Sequence, residues 1–268
     1  MCLPRVKRTK RRGMTLVEML VATAIMGLMA AALSTIALAV QMAHQYAAEQ
    51  GLMAQHARVI IERIQRTASG AHASEAFPGV QVITYFDSTY AFPQAIAIWN
   101  PTSAPHDPDG LPRIGELKFF AADPDQPNLL LEFQATGDAR VAPTTSVAWR
   151  TLIDELLADE DVEKIELTDL IAAPKLTPGA ARSYSTLRFE LRLRPDESEM
   201  EEMRAGDVTW DSLRWPLRSY GDDAGVRQVW LAFQLQIAPD VAAAQQDETH
   251  EEASPFFGSA ATYYTLTK

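Results

Sequence analysis

The sequence predicts an α+β fold in which one very long N-terminal helix packs on an antiparallel β-sheet head. Three observations carry that expectation. No proline occurs between Met14 and Phe77, so no residue there is barred from a helix interior. The run from Met14 to Val40 is apolar and uncharged except for Glu18, whereas from Gln41 onward apolar and polar residues alternate at helical spacing. Beyond Ser69-Gly70 the pattern changes to short apolar runs bounded by Pro, Gly, Asn and Asp, which is how antiparallel strands read.

The 27 residues from Met14 to Val40, rising about 1.5 Å each, span about 40 Å, enough to cross a hydrocarbon core of about 30 Å. Residues 14–40 are therefore expected to be the transmembrane half of the helix. Residues 41–68 are expected to be its amphipathic half. There Tyr46, Met53, Ala57, Ile60, Ile61, Ile64 and Ala68 share one face, with Glu49, Arg58, Glu62, Arg63 and Arg66 on others. Ahead of the apolar run, residues 1–13 carry Arg5, Lys7, Arg8, Lys10, Arg11 and Arg12 and no acid. The positive-inside rule keeps this leader cytoplasmic and sends everything after Val40 to the opposite side.

An exported head is expected over residues 69–239. Its candidate strands are Gln81–Phe86, Ala95–Trp99, Glu116–Ala121 and Leu129–Ala135. Another runs from Leu187, where Leu187, Phe189, Leu191 and Leu193 alternate with Arg188, Glu190, Arg192 and Arg194, and the last from Val226 to Ile237. Short helices are expected at Val147–Ala158 and Asp196–Arg204. Residues 240–268 are expected to form a mobile tail, because Asp240 to Ser254 is rich in Ala, Gln and Glu with little apolar patterning. Phe256, Phe257, Tyr263 and Tyr264 restore aromatic character and are expected to dock on the domain or a neighbour.

Composition narrows the function classes. The formal charge of −11 conceals an asymmetry: six of the 24 basic residues lie in the leader, leaving 18 against 35 acids, or −17 for residues 14–268. So acidic a surface repels nucleic acid, which is not an expected partner. The one cysteine, Cys2, lies in the leader, so the rest of the chain has no disulfide. His44, His56, His72, His106 and His250 are scattered, without metal-ligand spacing, and neither a nucleophile elbow nor a phosphate-binding glycine loop occurs. No enzymatic activity, cofactor or metal is expected. Asp107 and Asp109 with Asp123 and Asp125 supply hard oxygens suited to calcium, but proline-rich acidic turns are commoner than calcium loops.

Gly13 after a basic leader, a Met14-Thr15 start to the apolar run, and Glu18 five residues after the glycine together resemble the prepilin signal of the type IV pilin and type II secretion pseudopilin family. The resemblance implies cleavage between Gly13 and Met14 by a membrane prepilin peptidase, N-methylation of Met14, and a single-pass inner-membrane protein with an extracytoplasmic head. It also implies assembly with other pilin or pseudopilin subunits. The size of the head is more like that of a minor pseudopilin of the J type, and the lack of a C-terminal disulfide departs from many minor pilins. A carboxylate at mid-membrane costs about 2.5–3.5 kcal/mol on insertion scales, so Glu18 needs a partner. The free amine of Met14, in the same chain or a neighbour, is the expected one, and stabilisation of an interfacial Glu18 by the helix N-terminus is the alternative. Ala22, Gly27 and Ala31 offer a small-residue face for helix packing. The expected function is that of a non-enzymatic minor filament subunit, most simply a type II secretion pseudopilin. A minor pilin of a pilus or competence filament is one alternative. A binding or enzymatic domain on an uncleaved anchor is another.

Overall fold

The computed structural model describes residues 14–87, 90–175, 182–216, 224–245 and 253–267. The leader, with Gly13, lies outside the described residues. A helix of 54 residues, α1 (Leu16–Ser69), opens the fold, as the absence of proline requires. Its end is marked by Gly70, whose N–H still reaches the Arg66 carbonyl, and by the turn that follows. Contacts divide the chain into two units, with the boundary inside α1 between Glu49 and Gln50. That boundary lies nine residues beyond Gln41, where the apolar run gives way to the amphipathic pattern. Tyr46, grouped by periodicity with the core face, is 65% exposed, and burial begins only at Met53.

In the second unit, β1 (Val80–Asp87), β2 (Tyr90–Trp99), β3 (Leu117–Ala122) and β4 (Leu130–Gln134) are followed by α2 (Ser146–Ala158) and β5 (Glu163–Thr168). The five strands form one antiparallel meander in chain order. Pro93 has no N–H to give to a ladder, and it sits where the pairing of β1 with β2 slips between Ile83 and Tyr85. The middle of this sheet is covered on both faces, which is why Ala95 to Trp99 reads as an unbroken apolar run. One face gives Val80, Ile96, Ile98, Phe120 and Leu130 to a core shared with Met53, Ala57, Ile60, Ile64 and Ala68 of α1. The other gives Ile83, Ala97, Trp99, Phe119, Leu131 and Phe133 to a core closed by Trp149, Leu152, Ile153 and Leu156 of α2. Each fully buried Ile or Phe in these cores contributes about 1.5–3 kcal/mol. Thr145 caps α2 by accepting from the Ala148 N–H at 3.3 Å.

A second antiparallel sheet has the order β6 (Arg188–Arg194), β7 (Ala224–Ile237) and β8 (Ser254–Thr267). Between β6 and β7 lies α3 (Glu197–Ala205), which opens on a capping box of Asp196 with Glu199 and closes on left-handed Gly206. Phe189, Val229, Leu231, Phe233, Leu235 and Ile237 from this sheet join the core under α1. Farther along the same face, Met200, Trp210, Leu213 and Leu266 form a smaller cluster.

Residues 254–267 correct the expected mobile tail. They form β8, paired with β7 in unbroken register from Ala224↔Thr267 to Ile237↔Ser254. Strict alternation turns Phe256, Ala260 and Tyr264 onto the core and leaves Phe257 and Tyr263 outside. Earlier in that stretch, α4 (Val241–Ala244) buries Ala243 and Ala244 against Ala238. Strand β5 was not among the expected strands, and Glu163, Lys164 and Glu166 leave it little apolar character.

Candidate functional site

The N-terminal turn of α1 is where the predicted processing and assembly residues converge. Gly13, on the other side of the predicted cut, lies outside the described residues. Met14 and Thr15 precede the helix, and Thr15 caps it. The Glu18 N–H donates to Thr15 Oγ1 at 3.2 Å, and the Met19 N–H donates to the Thr15 carbonyl at 3.1 Å. In return Glu18 Oε2 accepts from the Thr15 N–H at 2.8 Å and from the Thr15 hydroxyl at 3.0 Å. This is a reciprocal capping box, which satisfies two of the N–H groups a helix start leaves without partners. The Thr-x-x-Glu spacing was readable in the sequence, but it was read for Glu18 alone. The Met14 amine cannot pair with Glu18 while Gly13 is attached, because its nitrogen is then part of a peptide bond.

The same helix is long and apolar enough to cross a membrane, and none of the side chains in its most apolar stretch is buried in the protein. Leu16 and Leu28 expose 77% and 73% of their surface. That exposure leaves the stretch open to lipid or to other helices. Gly27 and Ala31 lie on this surface, with Ala22 half-exposed, and a methyl added at Gly27 would meet nothing within 4 Å. Among the described residues nothing packs against Gly27.

Elsewhere the predicted donors do not converge. Asp107 turns back to accept from the Gly110 N–H at 3.2 Å, and Asp123 accepts from the Asp125 and Gln126 N–H groups at 2.8 and 3.0 Å. These are turn-stabilising bonds. His72 meets the Pro108 carbonyl, His106 meets Arg113, and His250 lies outside the described residues. Among the described residues no three of His, Cys, Asp and Glu come together as a metal site.

Two charged nodes in the head were not singled out from sequence. Glu132, 4% exposed, takes a two-pronged contact from Arg63 of α1 at 2.6 and 2.8 Å, with Lys118 at 3.6 Å. Arg227, fully buried, donates to the Pro195 carbonyl at 2.9 Å, to Glu197 at 2.8 Å and to the Tyr264 hydroxyl at 3.3 Å. The readable signal was Arg227 itself, a lone charge in the inward register of an otherwise apolar strand. The first node ties α1 to the larger sheet, and the second ties β7 to α3 and β8.

The family model for the prokaryotic N-terminal methylation motif matches residues 8–34. The chain therefore carries the prepilin-type signal of type IV pilins and pseudopilins, over the helix start just described. The motif supports a type IV pilin-like or pseudopilin subunit, and it implies processing by a prepilin peptidase and assembly with other pilin subunits. With the exposed apolar helix it also implies membrane anchoring. No curated protein and no solved structure matches the chain.

Proposed function

We propose that the chain is a non-enzymatic minor subunit of a type IV-like filament, in particular a pseudopilin of a type II secretion apparatus, of the J type. The observation that carries this reading is the methylation motif at residues 8–34, placed so that Glu18 falls in the first turn of α1. In this reading the peptidase cuts between Gly13 and Met14 and methylates the new amine. The leader stays in the cytoplasm, the first part of α1 stays in the inner membrane, and the head lies on the extracytoplasmic side. The lack of any cysteine after Cys2 favours a pseudopilin over those minor pilins that close a C-terminal loop with a disulfide.

Intact-mass measurement of the membrane-extracted protein tests processing: an N-methylated Met14 terminus is expected, and Gly13→Leu should accumulate precursor. A native chain still beginning at Met1, or one cut after Val40, would refute the reading. Deletion of the gene, scored for protein secretion and for surface pili, separates the secretion role from the pilus role.

A further inference from the structure

The outer face of the β6–β7–β8 sheet carries no buried apolar cluster among the described residues, whereas both faces of the middle of the larger sheet are packed. None of its outward side chains from Gln228 to Gln234 or from Phe257 to Tyr263 belongs to any of the buried clusters among the described residues. Register sets these side chains in rows: Arg188 beside Gln234 and Phe257, Glu190 beside Ala232 and Ser259, Arg192 beside Trp230 and Ala261. Small residues thus fill the middle, with Trp230 and the 68%-exposed Phe257 standing on either side. The result is an open trough of about 780 Å³.

Its charge is opposite to that of the molecule. Strand β6 turns Arg188, Arg192 and Arg194 outward against Glu190 alone, on a chain whose charge after the leader is −17. Glu190 is engaged by Arg192 at 2.6 Å, and the Arg192 guanidinium lies 5.1 Å from the Trp230 ring. Arg188 is different. Its guanidinium stacks on Phe92 at 5.2 Å, and its Nη1 donates to the Ser185 and Leu187 carbonyls at 2.6 Å each. Those contacts fix its orientation and leave Nε and Nη2 for another acceptor. Among the described residues no carboxylate offsets the burial that pulls its pKa down. A half-buried, oriented guanidinium without a counter-charge suits a two-pronged contact to an incoming carboxylate.

We propose that this face docks an extended, acidic polypeptide segment of a companion subunit, with one carboxylate on Arg188 and an adjacent side chain over Ala232 between Trp230 and Phe257. The inference deepens the filament reading and rests on it for the partner's being a companion subunit. A second copy of the same face is a poor occupant, since two-fold pairing would set arginine against arginine. Lipid phosphates and nucleic acid are repelled by the acidic remainder of the head.

The test uses the full chain in its own cells, with a photo-crosslinking phenylalanine analogue in place of Ala232 and the adduct mapped by mass spectrometry. Adducts are expected within a stretch of a companion protein where acids outnumber bases. Their yield should fall about tenfold on adding Arg188→Gln or Ser259→Glu and persist on adding Ser259→Lys, as charge complementarity requires. Because Ser259 is exposed, the Glu and Lys variants report on charge even if Arg188→Gln disturbs folding. Adducts to a second copy of this chain, to lipid or to a basic segment, equal yields from Ser259→Glu and Ser259→Lys, or no adduct from processed protein would each overturn the docking. An acidic partner that itself lacks a methylation motif would leave the docking standing and count against the filament reading.

Discussion

Glu18 closes the capping box at the start of α1, and the proposed assembly role asks a second task of the same carboxylate. In the uncleaved chain its carboxylate is held by Thr15. The proposed cleavage would create a Met14 amine, and two opposite charges about 4 Å apart attract by about 4 kcal/mol at an effective dielectric of 20, more than the ~1 kcal/mol of a typical cap. Glu18→Ala is therefore expected to leave insertion and cleavage intact while crosslinking to companion subunits falls about tenfold or more. Thr15→Val, which removes the hydroxyl but keeps the charge, should crosslink nearly as the parent does. Equal losses in the two variants would assign Glu18 to capping alone. In the head, burial raises the pKa of Glu197, but Arg227 and Arg204 outweigh it and hold the carboxyl below the ordinary value of 4.5. The contribution is present in full above that value and is lost as pH falls through the lower folded value. Melting followed from neutral pH downward should show Glu197→Gln less sensitive to acid than the parent below about pH 4.5. Glu18 was legible because one charge in an apolar run has few explanations. Glu197 was not, because its partner Arg227 comes from a strand 30 residues away.

At the scale of elements, the sequence was most legible where one face is apolar and the other polar, as in β6, or where both are apolar, as in β2. It failed on the two strands that follow neither pattern. Strand β5 is an edge, and the charges that keep it from pairing with other chains also disguise it. Strand β8 inserts Gly258, Ser259, Ala260 and Ala261 between its aromatic pairs, so its apolar alternation is weak. The glycine has a structural reason. A Cβ at Gly258 would lie 2.2 Å from the ring of buried Phe233, its register partner on β7. Gly225 plays the same part under Trp215, where a Cβ would approach the indole to 2.6 Å. Gly258→Val must push Phe233 out of its place, at a cost of about 1–3 kcal/mol. Thermal melting of the variant should be lower by about 2–4 °C for each kcal/mol lost. An unchanged melting temperature would show that the ring has room to move.

At the scale of the whole molecule, the helix-plus-sheet layout and the motif were both readable from the first 70 residues and the strand signals after them. The division of the strands into two sheets was not, because nothing local in β5 or β6 says that they do not pair. The boundary at Gln50 also escaped periodicity, which cannot tell an apolar residue facing lipid from one facing protein. A head fragment beginning at Gln41 retains all of the second unit, so it should be folded without detergent, and its melting temperature should not respond to reductant. A fragment that aggregates, or one that reductant destabilises, would place the boundary or the covalent structure wrongly. Strand β8 adds a matter of timing. The last 14 described residues of the chain complete the core under α1, supply Tyr264 to buried Arg227, and flank the whole length of β7. Contacts so distant in sequence form only after a long loop has closed. The head therefore cannot finish folding until residues 254–267 are free to pair with β7.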